Sequence, residues 1–364
     1  MTHHTYEHGG ICDKAYKIKY DFSVNVNPLG MPEKVRQDIL NHISLLEKYP
    51  NIDDYSLTAK LSAHHNLPEE YFVLGNGASE IITLLSQTII PRGAMIPVPT
   101  FSGYKKALSS RSCRVKEYML RSDNDFLLTE DFLTDVKRAS SVDAIFLCNP
   151  NNPTGKLIPR ELVNKLADFC ESFGIYLVID ECFMGFVPDE KKTSAISLVP
   201  NHPHLIVIDA FTKLYCLPGI RLGYCVCSNP RILSEMNALK PEWNISCLAL
   251  VAGEDSISEK EYVKNTISII ESEKAFLTKE LSALGFTVFD SDTNFMLTRL
   301  PLSLLTTTHS HLEGNSITDR LARDYGILVR NCSNFSGLDN SYFRIAVRNH
   351  DENVALIDAL KRYV

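Results

Sequence analysis

Short apolar runs alternate with longer amphipathic stretches through the middle of the chain. The runs at 71–75, 94–98, 114–120, 143–148, 175–180, 205–210 and 222–227 predict strands. Most are apolar on consecutive positions, the pattern of strands buried on both faces of a parallel sheet. Helical patterns fall between them, for example at 78–90 and 159–173. Strands alternating with helices at this spacing predict an α/β fold built on a mostly parallel seven-stranded sheet. The stretch 246–284 then reads as a long helical region with a break near Ser256. Beyond Gly285, strands at 286–289, 294–298, 327–330 and 342–347 mix with helices at 317–325 and 352–363. This tail predicts a smaller α+β domain. The expected division is a segment 1–40 packed on the rest, a large domain 41–255 and a small domain 256–364.

Composition narrows the class of protein. The 364 residues are 45% hydrophobic and 22% charged, with a net charge of −7, which argues against a nucleic-acid surface. No apolar run approaches the roughly 18–20 residues of a spanning helix. The polar start MTHHTYEHGG lacks the apolar middle of a signal peptide. These features predict a cytoplasmic protein with no membrane or nucleic-acid partner. The ten cysteines are scattered and no Cys-x-x-Cys pair occurs. They read as reduced, buried thiols, and no metal is expected.

Functional groups in such folds gather at the carboxyl ends of strands. After the strand 71–75 comes GNGASE, residues 75–80, where two glycines precede a helix and its free N–H groups can cradle an anion. After 143–148 comes the stiff loop NPNNPTG, residues 149–155. The strand 175–180 ends on Asp180, which must either cap a helix or meet a cation. After 205–210 comes Lys213, and Arg221 follows a Pro-Gly bend. A pyridine ring bearing an aldehyde and a phosphate needs all of these: an amine, a carboxylate for the ring nitrogen, a phosphate cradle and a donor to the phenolic oxygen.

The succession GNGASE, PTFSGY, NPNNPTG, IDE, TK and PGIRLGY resembles the fold-type I pyridoxal-phosphate enzymes of the aspartate aminotransferase group, and within them the histidinol-phosphate aminotransferase branch. The resemblance implies pyridoxal 5'-phosphate as cofactor and Lys213 as its Schiff-base lysine. It implies that Asp180 faces the ring nitrogen, Asn152 bonds the phenolic oxygen and Phe101 stacks on the ring. Gly77, Ala78, Thr212 and Arg221 would surround the phosphate. Tyr49, in EKYPN, would reach the cofactor of a partner subunit, which implies a homodimer. One position departs from the branch: Phe183 stands where a tyrosine is usual after the buried aspartate.

The ends of the chain narrow the resemblance. HGG at 8–10, DFSVNVNPLGMP at 21–32, DECFMGFVP at 180–188 and ILVRNCSNFSGLDNSYFRIAVR at 327–348 are similar to the threonine-phosphate decarboxylases of cobalamin biosynthesis, which also carry the phenylalanine. This implies a lyase whose substrate is an amino-acid phosphate, threonine phosphate or serine phosphate, held by His8, Gly9, Asn25, Asn152, Arg330 and Arg344. Lys213 is the expected acid that returns a proton to Cα. Arg348 is either a further cation for the substrate or a partner of the acidic surface. One of Asn25 and Asn27 is expected to be structural. The competing readings are a histidinol-phosphate-type aminotransferase, which uses the same residues to break Cα–H, and a cofactor-binding protein without catalysis. Nothing in the sequence reports which bond is held for cleavage.

Overall fold

The computed structural model describes residues 9–10, 16–51, 55–139, 141–188, 194–301, 303–304 and 316–363. Strand β1 (Tyr20–Asp21) precedes the main sheet. That sheet comprises β2 (Phe72–Gly75), β3 (Gly93–Val98), β4 (Arg114–Met119), β5 (Ala144–Cys148), β6 (Tyr176–Asp180), β7 (Leu205–Ala210) and β8 (Gly223–Val226). Their order is 2-8-7-6-5-3-4. All neighbours are parallel except β8, which runs against both β2 and β7. Each strand expected here is present, with ends shifted by at most one residue.

The central strands are apolar on both faces because both are covered, while the edge strand β4 is largely exposed. Ile145, Leu147, Leu177, Ile179 and Val207 point into one core cluster. Their chain neighbours Phe146, Val178, Ile206 and Ile208 point into another. Each fully buried aliphatic side chain contributes about 1.5–3 kcal/mol, so the apolar residues of these strands stabilise the fold from both faces. Helix Ala78–Ile89 supplies Ile81, Ile82 and Leu85 to the second cluster, and helix Arg160–Phe173 supplies Leu162, Val163 and Leu166 to the first.

Parallel packing sets the position of the functional ends. Cys148 pairs with Asp180, and Asp180 with Ile208, so β5, β6 and β7 finish side by side. The NPNNPTG loop, Asp180 and the segment carrying Lys213 therefore leave the sheet at one edge.

The helical region after Ser246 divides into Cys247–Ser256 and Lys260–Ala283, with the break at 257–259. The long second helix contributes Leu277 and Leu281 to a third cluster with Phe343, Ile345 and Leu356. Over these lies a four-stranded antiparallel sheet of β9 (Thr287–Val288), β10 (Phe295–Arg299), β12 (Arg330–Asn331) and β13 (Tyr342–Ala346), while β11 (Ile327–Leu328) stands apart. The order in this small sheet is 12-13-10-9. The single strand expected at 327–330 is thus two: β11 pairs in parallel with β1, and β12 pairs with β13. The amino-terminal segment takes up the backbone of β11, and the chain steps across at Val329 to put Arg330 opposite Arg344.

The NPNNPTG loop is fastened to the small sheet. Asp292 N–H donates to Gly155 O at 2.9 Å and Leu157 N–H to Asp292 Oδ2 at 3.1 Å. Lys156, largely buried, meets Asp125 at 3.1 Å and Asp290 at 3.3 Å. Among the described residues no helix is long and apolar enough to cross a membrane.

Candidate active site

At the shared edge of β5, β6 and β7 lies a cavity of about 310 Å³. Gly9, Asn25, Ala78, Phe101, Asn152, Asp180, Thr212, Lys213, Arg221, Arg330 and Arg344 all line it. Residues from 9 to 344 are thus gathered in one site. Three expected residues are not among them, for different reasons. Gly77 is the turn just before Ala78 and sits against Arg221, behind the lining. His8 lies outside the described residues. Tyr49, expected at a partner subunit's cofactor and not in this cavity, is 80% exposed and rests on Trp243, ring centroids 4.8 Å apart.

The anion cradle is built from backbone. Gly77 (φ +80°) caps helix Ala78–Ile89 without a side chain, which leaves the first-turn N–H groups of Ala78 and Ser79 at the cavity. A Cβ at Gly77 would lie 2.5 Å from Arg221 Nη2, so only glycine lets the guanidinium approach the turn. Arg221 itself has φ +59°, a left-handed conformation costly for a side-chain-bearing residue, and its Nη1 donates to Pro218 O at 3.1 Å. The Pro-Gly bend thus aims Arg221 back at the glycine turn.

Among the described residues Asp180 meets two neutral donors and no cation within hydrogen-bond reach. Tyr104 Oη donates to Asp180 Oδ2 at 2.7 Å, and Cys182 N–H to Oδ1 at 3.0 Å. The Tyr104 ring stands edge-on to Phe101, 5.5 Å between centroids. Burial, with Asp180 beside it, raises the Tyr104 phenol well above its ordinary range, so it acts as a donor. Sequence reasoning missed Tyr104, because a tyrosine on an amphipathic helix reads as core. Its spacing of three from Phe101, on a helix starting at Ser102, is the signal that puts both rings on one side.

Lys213 projects from the one-turn helix Phe211–Leu214. Burial, with Arg344 close by, pushes its amine down to about 8. Its Nζ stands 5.9 Å from the centre of the Phe183 ring, which packs edge-to-face on Phe295 at 4.9 Å. Arg344 in turn lies over Phe295 at 5.4 Å.

Arg330 and Arg344 are directly opposed across β12 and β13, 6% and 5% exposed. Arg344 Nη1 donates to Asn152 Oδ1 at 2.5 Å and Nη2 to Ser23 O at 2.7 Å, while its buried Nε has no partner among the described residues. Burial pulls this guanidinium down to about 10. Arg330 Nη2 donates to Asn334 Oδ1 at 2.8 Å, and the guanidinium rests on Phe335 at 5.0 Å. Ser23, Asn334 and Phe335, which lie inside the terminal motifs but had no role assigned there, support the two arginines. Asn25 Oδ1 is also buried without a partner among the described residues, whereas Asn27 is committed to Leu214 O and Thr266 Oγ1. Arg348 does not line the cavity; its Nε donates to Glu352 Oε2 at 2.6 Å across one helical turn.

Four cationic side chains, Lys213, Arg221, Arg330 and Arg344, therefore face one carboxylate, Asp180, in the cavity lining. Such a site calls for anionic ligands. The glycine-turn cradle, the depressed amine, the braced carboxylate and the ring of Phe101 fit a flat aldehyde bearing a phosphate.

The matches to known proteins agree with this geometry. The family model of class I and II aminotransferases matches residues 17–360, and the chain belongs to that family. Within it, the chain is 34% identical over 342 residues to the threonine-phosphate decarboxylase of Salmonella typhimurium, covering 94% of this chain and 90% of the relative. Among solved structures, a histidinol-phosphate aminotransferase from Clostridium acetobutylicum superposes with a TM-score of 0.84 at 30% identity, covering 94% of this chain and 98% of that one. An L-threonine-O-3-phosphate decarboxylase from Porphyromonas gingivalis gives 0.81 at 23% identity, over 94% and 98%. The fold is that of the fold-type I transferases, with the seven-stranded sheet at its centre.

Two predictions come from this geometry. In the cofactor-free protein, acylation of Lys213 by an amine-directed reagent should rise through a midpoint near pH 8 and be absent from Lys213→Ala. The unfolded chain keeps an ordinary lysine near 10.5, so it binds the extra proton and this group adds stability as pH rises from about 8 to 10.5. A midpoint near 10.5 contradicts the electrostatic account. Tyr104→Phe removes one hydrogen bond to a carboxylate, worth about 1.5–3 kcal/mol. Equilibrium dialysis should then find pyridoxal phosphate held roughly ten- to a hundredfold more weakly; unchanged affinity assigns Tyr104 to packing alone.

Proposed function

We propose that this chain is a pyridoxal-phosphate-dependent carboxy-lyase that decarboxylates an O-phospho-L-amino acid. Threonine phosphate is the first candidate, yielding 1-aminopropan-2-yl phosphate for the linker of the cobalamin nucleotide loop. Serine phosphate, yielding ethanolamine phosphate, differs by one methyl group. The observation that carries the reading is the opposed pair Arg330 and Arg344, buried side by side. Like charges directly opposite across a sheet are unfavourable unless anions join them. A substrate bearing both a carboxylate and a phosphate supplies two.

The cofactor, when bound, supplies an electron-accepting ring conjugated to the substrate amine. The residues of this chain would do the rest. Lys213 Nζ would hold the aldehyde at rest. Gly77, Ala78, Thr212 and Arg221 would bind the cofactor phosphate, Asp180 the ring nitrogen, Asn152 the phenolic oxygen, and Phe101 one ring face. Phe183 cannot donate a hydrogen bond to the phenolic oxygen. Its ring instead walls the cavity beside Lys213 and excludes water there. Gly9, Asn25, Asn152, Arg330 and Arg344, with His8, would grip the substrate. Arg330 and Arg344 would orient the substrate so that its Cα–carboxylate bond is the one that breaks; the bonding pair would stay with Cα as carbon dioxide leaves, and Lys213 would deliver a proton to Cα.

We further propose a homodimer of shared active sites, in the cytoplasm. The support is an exposed apolar series, Leu40, Ile43, Leu46 and the Tyr49–Trp243 stack, which a second copy of this chain would cover. The division into 1–40, 41–255 and 256–364 belongs to the same reading, with the third core cluster as the centre of the small domain.

Incubation with threonine phosphate or serine phosphate should release carbon dioxide and the matching amine phosphate with no keto acid present. Rapid glutamate formation from an amino donor and 2-oxoglutarate would establish the aminotransferase instead. Arg344→Ala and Arg330→Ala should remain yellow but lose kcat/KM by roughly thirty- to several-thousand-fold, since removing one partner of a desolvated charge pair costs about 2–5 kcal/mol. Sedimentation should find a dimer, and Tyr49→Phe should keep the dimer while weakening cofactor retention. A monomer that binds cofactor and turns over at full rate contradicts the shared site.

A further inference from the structure

A second cavity, of about 360 Å³, lies behind the helix that carries Lys213. Phe211 and Leu214 of that helix line it, and two residues, Cys182 and Ala210, line both this cavity and the first. Its walls are rich in groups that exchange protons. Glu181 and Asp209 come from the ends of β6 and β7, His64 and His65 from helix Tyr55–His65, Tyr224 from β8, and Tyr215, Glu259 and Lys260 close the remaining side.

Three of these groups form a directed chain. Tyr224 Oη donates to Asp209 Oδ2 at 3.0 Å, so its oxygen accepts from His65 Nε2, 2.9 Å away. His65 is half-buried, while Tyr224 is buried. The chain therefore leads from the surface to a carboxylate on the cavity wall. Glu181, across that cavity, is 1% exposed. Its Oε1 accepts from Ala195 N–H at 2.7 Å and its Oε2 from Ser194 Oγ at 2.6 Å. Burial pushes its carboxyl up to about 8 against these donors and Arg160, and Asp209 pushes the same way, so Glu181 holds a proton at neutral pH. The mechanism described above uses none of these residues.

Decarboxylation creates a demand that amino transfer does not. The Cα–carboxylate bond breaks, carbon dioxide departs without its electron pair, and a new Cα–H bond takes one proton. In amino transfer the proton lost from Cα is returned within the same site. Each decarboxylation consumes one proton from solvent, and Lys213, shielded in the first cavity, must be recharged every turnover.

We propose that the second cavity is a proton-supply chamber, in which His65, Tyr224 and Asp209 conduct a proton from solvent to Glu181, and Glu181 recharges Lys213 past Cys182 and Ala210. The proposal rests on the decarboxylase reading. A polar chamber of this size with several polar partners admits water, which would span the remaining gap. No oxidant or reductant is involved; one proton enters for each carbon dioxide released.

The test uses the holoenzyme with threonine phosphate in rapid-quench experiments. Tyr224→Phe and His65→Ala should release the first equivalent of carbon dioxide at the parental rate, then turn over roughly ten- to a hundredfold more slowly, as expected when a positioned acid–base group is lost. KM should stay nearly constant. Added imidazole should restore His65→Ala in a saturable way, which a merely structural role would not allow. In cofactor-free protein, the infrared carbonyl stretch of a protonated carboxylic acid should titrate near pH 8 and vanish in Glu181→Gln. Parental steady-state rates in both variants overturn the chamber, as does an equal loss of the first turnover, or a Glu181 ionised at neutral pH. A parent enzyme that releases no carbon dioxide overturns the decarboxylase reading, and with it the need for a conduit.

Discussion

Like charge gathered out of water is the constraint on which the site depends. Arg330 and Arg344 oppose each other across two short strands. Burial and the nearby Arg344 together pull the Lys213 amine down to about 8. Among the described residues of the lining, only Asp180 carries a charge that answers them. The fold tolerates this by distributing neutral oxygens: Asn152 and Ser23 to Arg344, Asn334 to Arg330. Aromatic faces carry part of the load, Phe335 under Arg330, Phe295 under Arg344 and Phe183 beside Lys213. The ligand's negative charge completes the structure as much as the protein holds the ligand.

Phe183 belongs to this arrangement. Its ring meets Phe295 edge-to-face, and Ile270 of the long helix packs with them. A strand end of the large sheet, the small sheet and the connecting helix thus meet in one apolar contact between two cations. The same junction is reinforced outside by Lys156 between Asp125 and Asp290. The loop bearing Asn152 is therefore positioned by the small sheet as well as by its own strand.

Much of this was legible in the sequence because strand ends are local signals. Apolar runs specify buried parallel strands, and the residues just past each run mark the functional edge; hence Asp180, Lys213 and Arg221 were readable in place, whereas Asn152 needed the resemblance to stand out from the other asparagines of its loop. Arg330 and Arg344 needed the resemblance, since cross-strand register depends on where β1 claims β11, a contact spanning most of the chain. Tyr104 was hidden by its own helix, where a tyrosine serving a site and a core tyrosine share one pattern. Arg348 stood open between substrate and surface in the sequence, and Glu352, four residues on, pairs with it locally. His65, Tyr224 and Asp209 lie on three separate elements, and only the antiparallel insertion of β8 brings them into line.

The contact between Tyr49 and Trp243 has an optical consequence. Trp243 is the single tryptophan of the chain, 44% exposed and seated on the exposed patch. Selectively excited emission therefore arises from one place on the molecule. Burying that place against a neighbour removes water from the indole and moves its emission toward the blue. The chain carries its own fluorophore at the surface where two copies would meet, and dilution can be followed there without a label.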